Sequence, residues 1–563
     1  LPSLTSSFFF KERKGKERKG KGEEMKMTVS GLGPVYYAPH YHPRYPLFNR
    51  VPTVRFFSAI KAVDTLDAPE RVAAKKKTAQ GKTGNLVVGD RRAVKWKKVD
   101  AEELGIRIDM ISRPTRKVLD GLKRKGYEVY LVGGCVRDLI LKRTPKDFDV
   151  ITSAELWEVR RAFSRCEIVG RRFPICHVHI KETFIEVSSF STNGRKTRWD
   201  RSYDDMVPVD CDEKDYARWR NCMQRDFTVN GLMYDPYADI VYDYVGGLED
   251  LKTAKVQTVI AASVSFQEDC ARILRGIRIA ARLGFRLSKE TAKAVTTMSS
   301  SILKLDKARL AMEINYMLSY GSAEASLRTL WKFGLLEILL PYKAAYFVRN
   351  GFKRRDKGSN MLLSLFSTLD SLLAPDRPCH SSLWVGLLAF HEALAVQPRH
   401  PHVIAAFCLA VHNGGDIGEA VNIARRITRP CDDSFYELVH SGSPKSNSLI
   451  REVRNLVGCI NQVLDEMTDE SCIAKAMSEY PKAPFSDLVL ISFTLHTKVQ
   501  QIFECVVKGK GSKPRFVPKR GGKIDYDQLA LGTLQEVRHV FARVIFDTVY
   551  PVHITSTRTE DMS

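Results

Sequence analysis

The sequence predicts a mixed α/β head followed by an all-α neck, body and tail. Three observations predict it. Between residues 113 and 262, short apolar runs bounded by turn-forming clusters alternate with helical patterns. From about Ser265 to about Val507, apolar residues instead recur three and four apart, as at Ile273, Ile277, Ala280 and Ala281. The chain of 563 residues is 44% hydrophobic and 27% charged, which suits two to four globular domains.

The elements follow in order. Arg116 to Lys125 reads as a helix with Val118, Leu119 and Leu122 on one face, and Glu128 to Val132 as a strand broken by Gly133-Gly134. Cys135 to Leu141 reads as a helix, Asp147 to Ile151 as a strand, and Ala154 to Phe163 as a helix. Glu167 to Val169, His177 to Ile180 and Phe184 to Phe190 complete the strand signals. Lys508 to Lys523, basic and rich in Gly and Pro, reads as a loop, and Leu529 to Phe546 as a final helix. The expected divisions are a targeting segment 1–63, a basic linker 64–112, the head 113–262, a helical neck 263–345, a helical body 346–507, and a basic loop with a C-terminal helix 508–563.

The formal net charge of +23 attracts a polyanion, and RNA, DNA and an anionic membrane all fit it. The twelve cysteines form no CxxC pair, which points to a reducing compartment rather than to zinc. Cys176, His177 and His179 read as alternating strand positions rather than as a metal site. The most apolar run, Leu383 to Val396, is interrupted by His391 and Glu392, so no membrane partner is expected. Lys11 to Lys21 is of low complexity, and Met25 or Met27 is a candidate start. No Asp or Glu occurs from Met27 to Val63, which carries Arg44, Arg50, Arg55 and Lys61. That pattern reads as an organellar transit segment, mitochondrial in preference to chloroplast, against the alternative of a disordered basic tail.

The chemistry concentrates in Leu131-Val132-Gly133-Gly134-Cys135-Val136-Arg137-Asp138 and in Lys146-Asp147-Phe148-Asp149-Val150. A strand that runs through Gly133 and Gly134 into a helix lets backbone N–H groups approach a phosphate, and Arg137 adds a cation on the first turn. Asp147 and Asp149 lie two apart on the predicted strand and share a face. Two carboxylates beside a triphosphate suit two magnesium ions, one activating an attacking hydroxyl and one steadying the leaving pyrophosphate. Singly, a structural turn and a solvated strand end explain these residues as well. Their succession is what points to a site.

In these residues the chain resembles the class II tRNA nucleotidyltransferase and poly(A) polymerase family. Further segments extend the resemblance over roughly residues 113 to 345: Gln224-Arg225-Asp226-Phe227-Thr228-Val229-Asn230, Asp243 to Leu251, and Glu268-Asp269 with Arg272, Arg275 and Arg278. Ile168 to Val178 is similar to the signature of bacterial-type poly(A) polymerases. The resemblance implies a nucleotidyltransferase head with ATP as substrate, an RNA 3′ end as acceptor, and RNA binding over Leu283 to Pro341. It implies that Arg225, Arg275 and Arg278 contact the triphosphate or shape its pocket. Asp269 and Arg272, three apart on a predicted helix, would read the Watson–Crick edge of adenine or cytosine. A third carboxylate is open between Glu186, on strand geometry, and Asp226, by resemblance. Gln224 departs from the family, which has Arg there. Arg171 and Arg172, and Lys508 to Lys519, are candidate RNA contacts. Poly(A) addition is the leading expectation, CCA addition to tRNA the alternative, and a non-catalytic RNA-binding protein on the same fold the third. No His-Asp pair of the phosphohydrolase type predicts a second, hydrolytic site.

Overall fold

The computed structural model describes residues 96–170, 174–192, 211–440, 442, 445–480, 488–509, 519 and 521–551. The expected transit segment, most of the linker, Arg171, Arg172 and most of Lys508 to Lys519 lie outside the described residues.

The head is built on an eight-stranded sheet, β1 (Lys97–Asp100), β2 (Val129–Val132), β3 (Asp149–Thr152), β4 (Cys166–Val169), β5 (Ile175–Ile180), β6 (Thr183–Ser189), β7 (Leu232–Asp235) and β8 (Ile240–Asp243), in the order β1-β8-β7-β2-β3-β6-β5-β4. Every pair is antiparallel except β3 with β6, so the sheet is mixed. Both faces are covered, which is why β2 is apolar throughout. Its Val129 and Leu131 join a core with α1 (Arg113–Lys123), α2 (Gly134–Ile140) and α3 (Leu156–Ala162). Its Tyr130 and Val132 face the helix Glu213–Met223 through Trp219 and Cys222. Arg218 of that helix is buried among Asp215, Tyr130 and Tyr244, donating to all three at 2.6 to 2.9 Å.

Most predicted elements occur with shifts of one to three residues. The predicted strand from Asp147 begins instead at Asp149, and Asp147 lies on the exposed approach to it. The predicted final helix is two, Tyr526–Leu531 and Leu534–Val549, because Gly532 breaks it at φ +77°.

Helix Ala271–Leu283 joins head to neck by serving two cores. Its Ile279, Ala280 and Leu283 pack in the head, while Ile273, Leu274 and Ile277 pack with the neck and body. Gly276 lies where a Cβ would come within 2.8 Å of the Phe227 ring. The segment Asp243 to Leu251 is an anchor. Asp243 is buried, and its carboxylate accepts the backbone N–H groups of Val245, Gly246, Gly247 and Leu248 at 2.8 to 3.1 Å. Buried Asp250 accepts from Thr228 Oγ1 at 2.5 Å and pairs with Lys255. A Cβ on Gly247 would sit 2.4 Å from the Thr228 carbonyl oxygen. Gly247→Ala is therefore expected to cost about 2–3 kcal/mol, as overpacking against backbone does. Gly458→Ala, exposed in the middle of helix Ser446–Glu466 with open space around its Cβ, should instead add about 0.5–1 kcal/mol. Urea denaturation midpoints of the two variants check both signs.

Neck, body and tail are helical and share one continuous core running from Ala262 to Tyr550. Helix Ser381–Val396 is buried around nearly its whole circumference and forms its axis. No helix of the described residues is long and apolar enough to cross a membrane.

Candidate active site

A cleft of about 1820 Å³ lies between head and neck and brings together Gly133, Gly134, Arg137, Asp147, Asp149, Glu186, Arg225, Asp226, Asp269, Arg272, Arg275 and Arg278. All the predicted site residues among the described ones therefore line a single space.

Its floor is the end of three strands. Gly133 follows β2 at φ +79°, a conformation that only glycine takes without strain. A Cβ there would meet Arg225 Nη1 at 3.4 Å and Asp149 Oδ2 at 3.5 Å. Asp149 opens β3 and is in register with Glu186 of the parallel neighbour β6. Burial pushes the Asp149 carboxyl up to about 6; Arg225 opposes this, and Glu186 and Asp147 add to it. Among the described residues no ion pair within 4 Å holds the Asp149 carboxylate. Three acidic groups thus converge, and burial with their mutual repulsion outweighs the Arg225 charge at Asp149. Hard oxygen donors in that condition fit divalent cations such as magnesium.

Asp226 is placed otherwise. It is buried, and its carboxylate accepts from Phe227 N at 2.8 Å, Asn230 Nδ2 at 3.1 Å and Arg275 Nη1 at 3.0 Å. Burial opposes its ionisation, yet Arg275 and these hydrogen bonds hold it below the usual carboxylate range. Asn230 Oδ1 in turn accepts from Arg137 Nη1 at 2.6 Å, and Arg137 pairs with Asp138. A continuous chain of polar contacts therefore runs from the helix after Gly133-Gly134 to the neck. Arg137 is a braced member of it rather than a free cation.

The neck supplies the other wall. Asp269 and Arg272 are not on one helix as predicted. Helix Ala262–Glu268 ends before Asp269, whose backbone is extended, and a new helix starts at Ala271. Asp269 Oδ1 accepts the Ala271 N–H at 3.0 Å, which offers the aspartate a capping role that competes with helix continuation. Both side chains still line the cleft. Arg272 is steadied by Ser265 Oγ at 2.8 Å and Glu268 at 3.2 Å. Arg278 pairs with buried Glu313 at 3.1 Å, which also holds Arg309 at 3.1 Å.

Lys146 lines the cleft beside Asp147, and so do Arg282, Tyr316 and Tyr320, which were not singled out in the sequence. The only signal was two tyrosines four residues apart, which core packing explains equally well. Cys176 turns inward and donates to Leu156 O at 3.4 Å, whereas His177, on the alternate face, stacks on Phe184 at 4.5 Å.

Comparison with known proteins agrees with this arrangement. Residues 129–257 match the model of the "Poly A polymerase head domain", and residues 284–347 that of the "Probable RNA and SrmB- binding site of polymerase A". Poly(A) polymerase I of Haemophilus influenzae is 35% identical over 272 residues, 47% of this chain and 58% of that protein. Poly(A) polymerase I of Escherichia coli O6:H1 is 37% identical over 250 residues, 43% of this chain and 52% of that protein. The CCA-adding enzyme of Geobacillus kaustophilus is 34% identical over 222 residues, 39% of this chain and 53% of that protein. The chain spans about half the length of these curated relatives. Among solved structures, the Bacillus stearothermophilus CCA-adding enzyme in complex with CTP is 23% identical, covering 71% of this chain and 94% of that chain with a TM-score of 0.39. The two family matches fall on the head and on the segment that follows it, and the chain is similar there both to poly(A) polymerases and to CCA-adding enzymes.

Proposed function

We propose that this chain adds nucleotides, adenylates above all, to RNA 3′ ends without a template, using ATP. The observation that carries the reading is the meeting in one cleft of the Asp147, Asp149 and Glu186 carboxylates with Arg225, Arg275 and Arg278. Arg225 beside Gly133 and the paired Arg275 grip the triphosphate, since guanidinium groups hold phosphate in two-point contacts. Two magnesium ions held by Asp147 and Asp149, with Glu186 beside them, would activate the RNA 3′-hydroxyl and neutralise the departing pyrophosphate. Asp226 acts as a positioning residue that fixes Arg275. Asp269 and Arg272 read the base: a carboxylate accepts from the exocyclic amine of adenine or cytosine, and a guanidinium donates to the adjacent ring nitrogen. Guanine and uracil leave both contacts unmet, and unmet buried groups reject them.

Poly(A) addition is favoured by the Ile168 to Val178 signature. CCA addition to tRNA is the second reading, favoured by relatives of that activity at 34% identity. Arg171 and Arg172 serve RNA in either case. The acid-free residues 27–63 support import into an organelle, the mitochondrion in preference to the chloroplast.

The purified chain is tested with labelled ATP or CTP, magnesium, and either generic RNA or tRNA lacking CCA. Long adenylate tails on generic RNA are expected. A three-nucleotide addition confined to tRNA would replace poly(A) by CCA synthesis, and no product with either RNA would overturn the enzyme reading. In a four-nucleotide competition, Arg272→Ala is expected to lower the preference for ATP over GTP by tenfold or more, the scale of one lost buried hydrogen bond to a charged group. Unchanged selectivity would remove Arg272 from base reading.

A further inference from the structure

One wall of the cleft is not used by the triphosphate, the carboxylates or the base-reading pair. Tyr316, in the last turn of helix Lys307–Leu318, and Tyr320, just beyond it, line the cleft with ring centroids 5.4 Å apart. Both rings are half-buried. Neither phenol hydroxyl has a hydrogen-bond partner among the described residues. Lys146 Nζ lies 5.5 Å from the Tyr316 centroid and 5.1 Å from that of Tyr320. The Arg278 guanidinium lies 4.9 Å from Tyr316 on a side chain fixed by Glu313. Asp147 adjoins the same wall, its Oδ2 3.9 Å from Lys146 Nζ.

Aromatic faces in a cationic groove take nucleobases by stacking, with little regard to sequence, and a neighbouring lysine takes the backbone phosphate. The incoming nucleotide already has its base edge read at Asp269 and Arg272. The reaction needs a second base in the cleft, that of the nucleotide being extended. The ring pair borders the carboxylates through Lys146, whose Nζ is 5.1 to 5.5 Å from the two ring centroids and 3.9 Å from Asp147 Oδ2.

We propose that Tyr316 and Tyr320 seat the terminal base of the acceptor RNA and that Lys146 neutralises the phosphate on its 5′ side, which holds the 3′-hydroxyl next to Asp147. This rests on the polymerase reading above. It makes acceptor choice a matter of stacking, so any 3′-terminal base is accepted, whereas the incoming base is selected by hydrogen bonds.

The test uses the full chain and an RNA oligomer that ends in 2-aminopurine, whose fluorescence falls when it stacks. Titration in EDTA removes turnover from the reading. The natural chain should quench the terminal probe, and Tyr316→Leu/Tyr320→Leu should not. With magnesium and ATP, the double variant should raise KM for RNA about tenfold or more, the scale of one lost base–aromatic stack, with KM for ATP within twofold. Tyr→Phe at both positions should restore both readings, because the ring and not the hydroxyl is used. Quenching that survives the double variant, or an unchanged KM for RNA, overturns the proposal. If the double variant does not fold, Tyr320→Leu alone carries the same readings. A chain that quenches the probe through these tyrosines yet adds no nucleotide would keep the seat and sink the polymerase reading. A chain that extends RNA normally without such quenching would do the reverse.

Discussion

Asp149→Asn should abolish nucleotide addition, by about 10³-fold or more, and at the same time make the metal-free protein more stable at pH 7.5. The two effects have one cause. The Asp149 carboxyl is pushed up to about 6 from a normal value of 3.8, chiefly by burial. The folded chain therefore keeps this proton between about pH 4 and 6, where the unfolded chain has already released it. Folded-state stability falls as pH rises through that window and stays reduced above it. At pH 7.5 the ionised group costs on the order of 3 kcal/mol in the absence of a cation. Asn has the same shape without the charge, so it relieves that cost and removes the carboxylate proposed to hold magnesium. Melting temperatures in EDTA check the first half: the variant should melt several degrees higher at pH 7.5 and close to the natural chain at pH 4.5. Magnesium should raise the melting temperature of the natural chain at pH 7.5 and leave that of the variant unmoved, because cation and proton compete for the same oxygens. Extension of an RNA primer checks the second half. Near-normal extension, or a stability gain equal at both pH values, would remove Asp149 from the metal site.

How far the site was legible in the sequence depended on how local each relation was. Gly133-Gly134 and Asp149 sit within twenty residues of each other, in a strand–turn–helix–strand order that sequence alone conveys. The choice between Glu186 and Asp226 was not local. It turns on β6 pairing in parallel with β3 across 37 residues, which puts Glu186 level with Asp149. It turns also on Arg275 reaching Asp226 across 49 residues. No periodicity encodes either contact. The supposed Asp269–Arg272 helix face failed because Asp269 caps the Ala271 N–H, a local choice that competes with helical propensity and leaves no mark in the apolar pattern. Strands β7 and β8 were missed because each has four residues around an Asp-Pro-Tyr-Ala-Asp turn, too short to show alternation. The cleft tyrosines were missed because an aromatic pair four apart on a helix has the same pattern whether it packs in a core or faces a ligand.

His391 and Glu392 within the apolar run Leu383 to Val396 were legible as an exclusion of a membrane span. The structure shows what they do instead, and removing their partner should give the largest loss of stability in the helical part. Lys343 is fully buried and donates to Glu392 Oε2 at 2.7 Å and to Leu388 O at 2.9 Å, with His391 Nδ1 at 3.3 Å. Glu392 Oε1 accepts from Arg349 at 3.0 Å, and Tyr346 donates to buried Glu437 at 2.8 Å. These contacts tie helix Pro341–Arg349, the end of the RNA-binding match, to the axial helix Ser381–Val396. Burial lowers the Lys343 pKa, whereas Lys343 beside it holds the Glu392 carboxyl below its usual range against the same burial. Lys343→Met leaves Glu392 with only the half-exposed Arg349 and should cost about 3–5 kcal/mol. Lys343→Met/Glu392→Gln removes the stranded charge as well and should recover more than half of that loss, because a neutral pair needs no counter-ion in the core. Chemical denaturation of the two single variants and the double one closes the cycle. If the double variant is as unstable as the sum of the singles, the two residues do not act as a pair, and the charges in this helix are separate burdens on the core rather than the tie that sets the neck against the body.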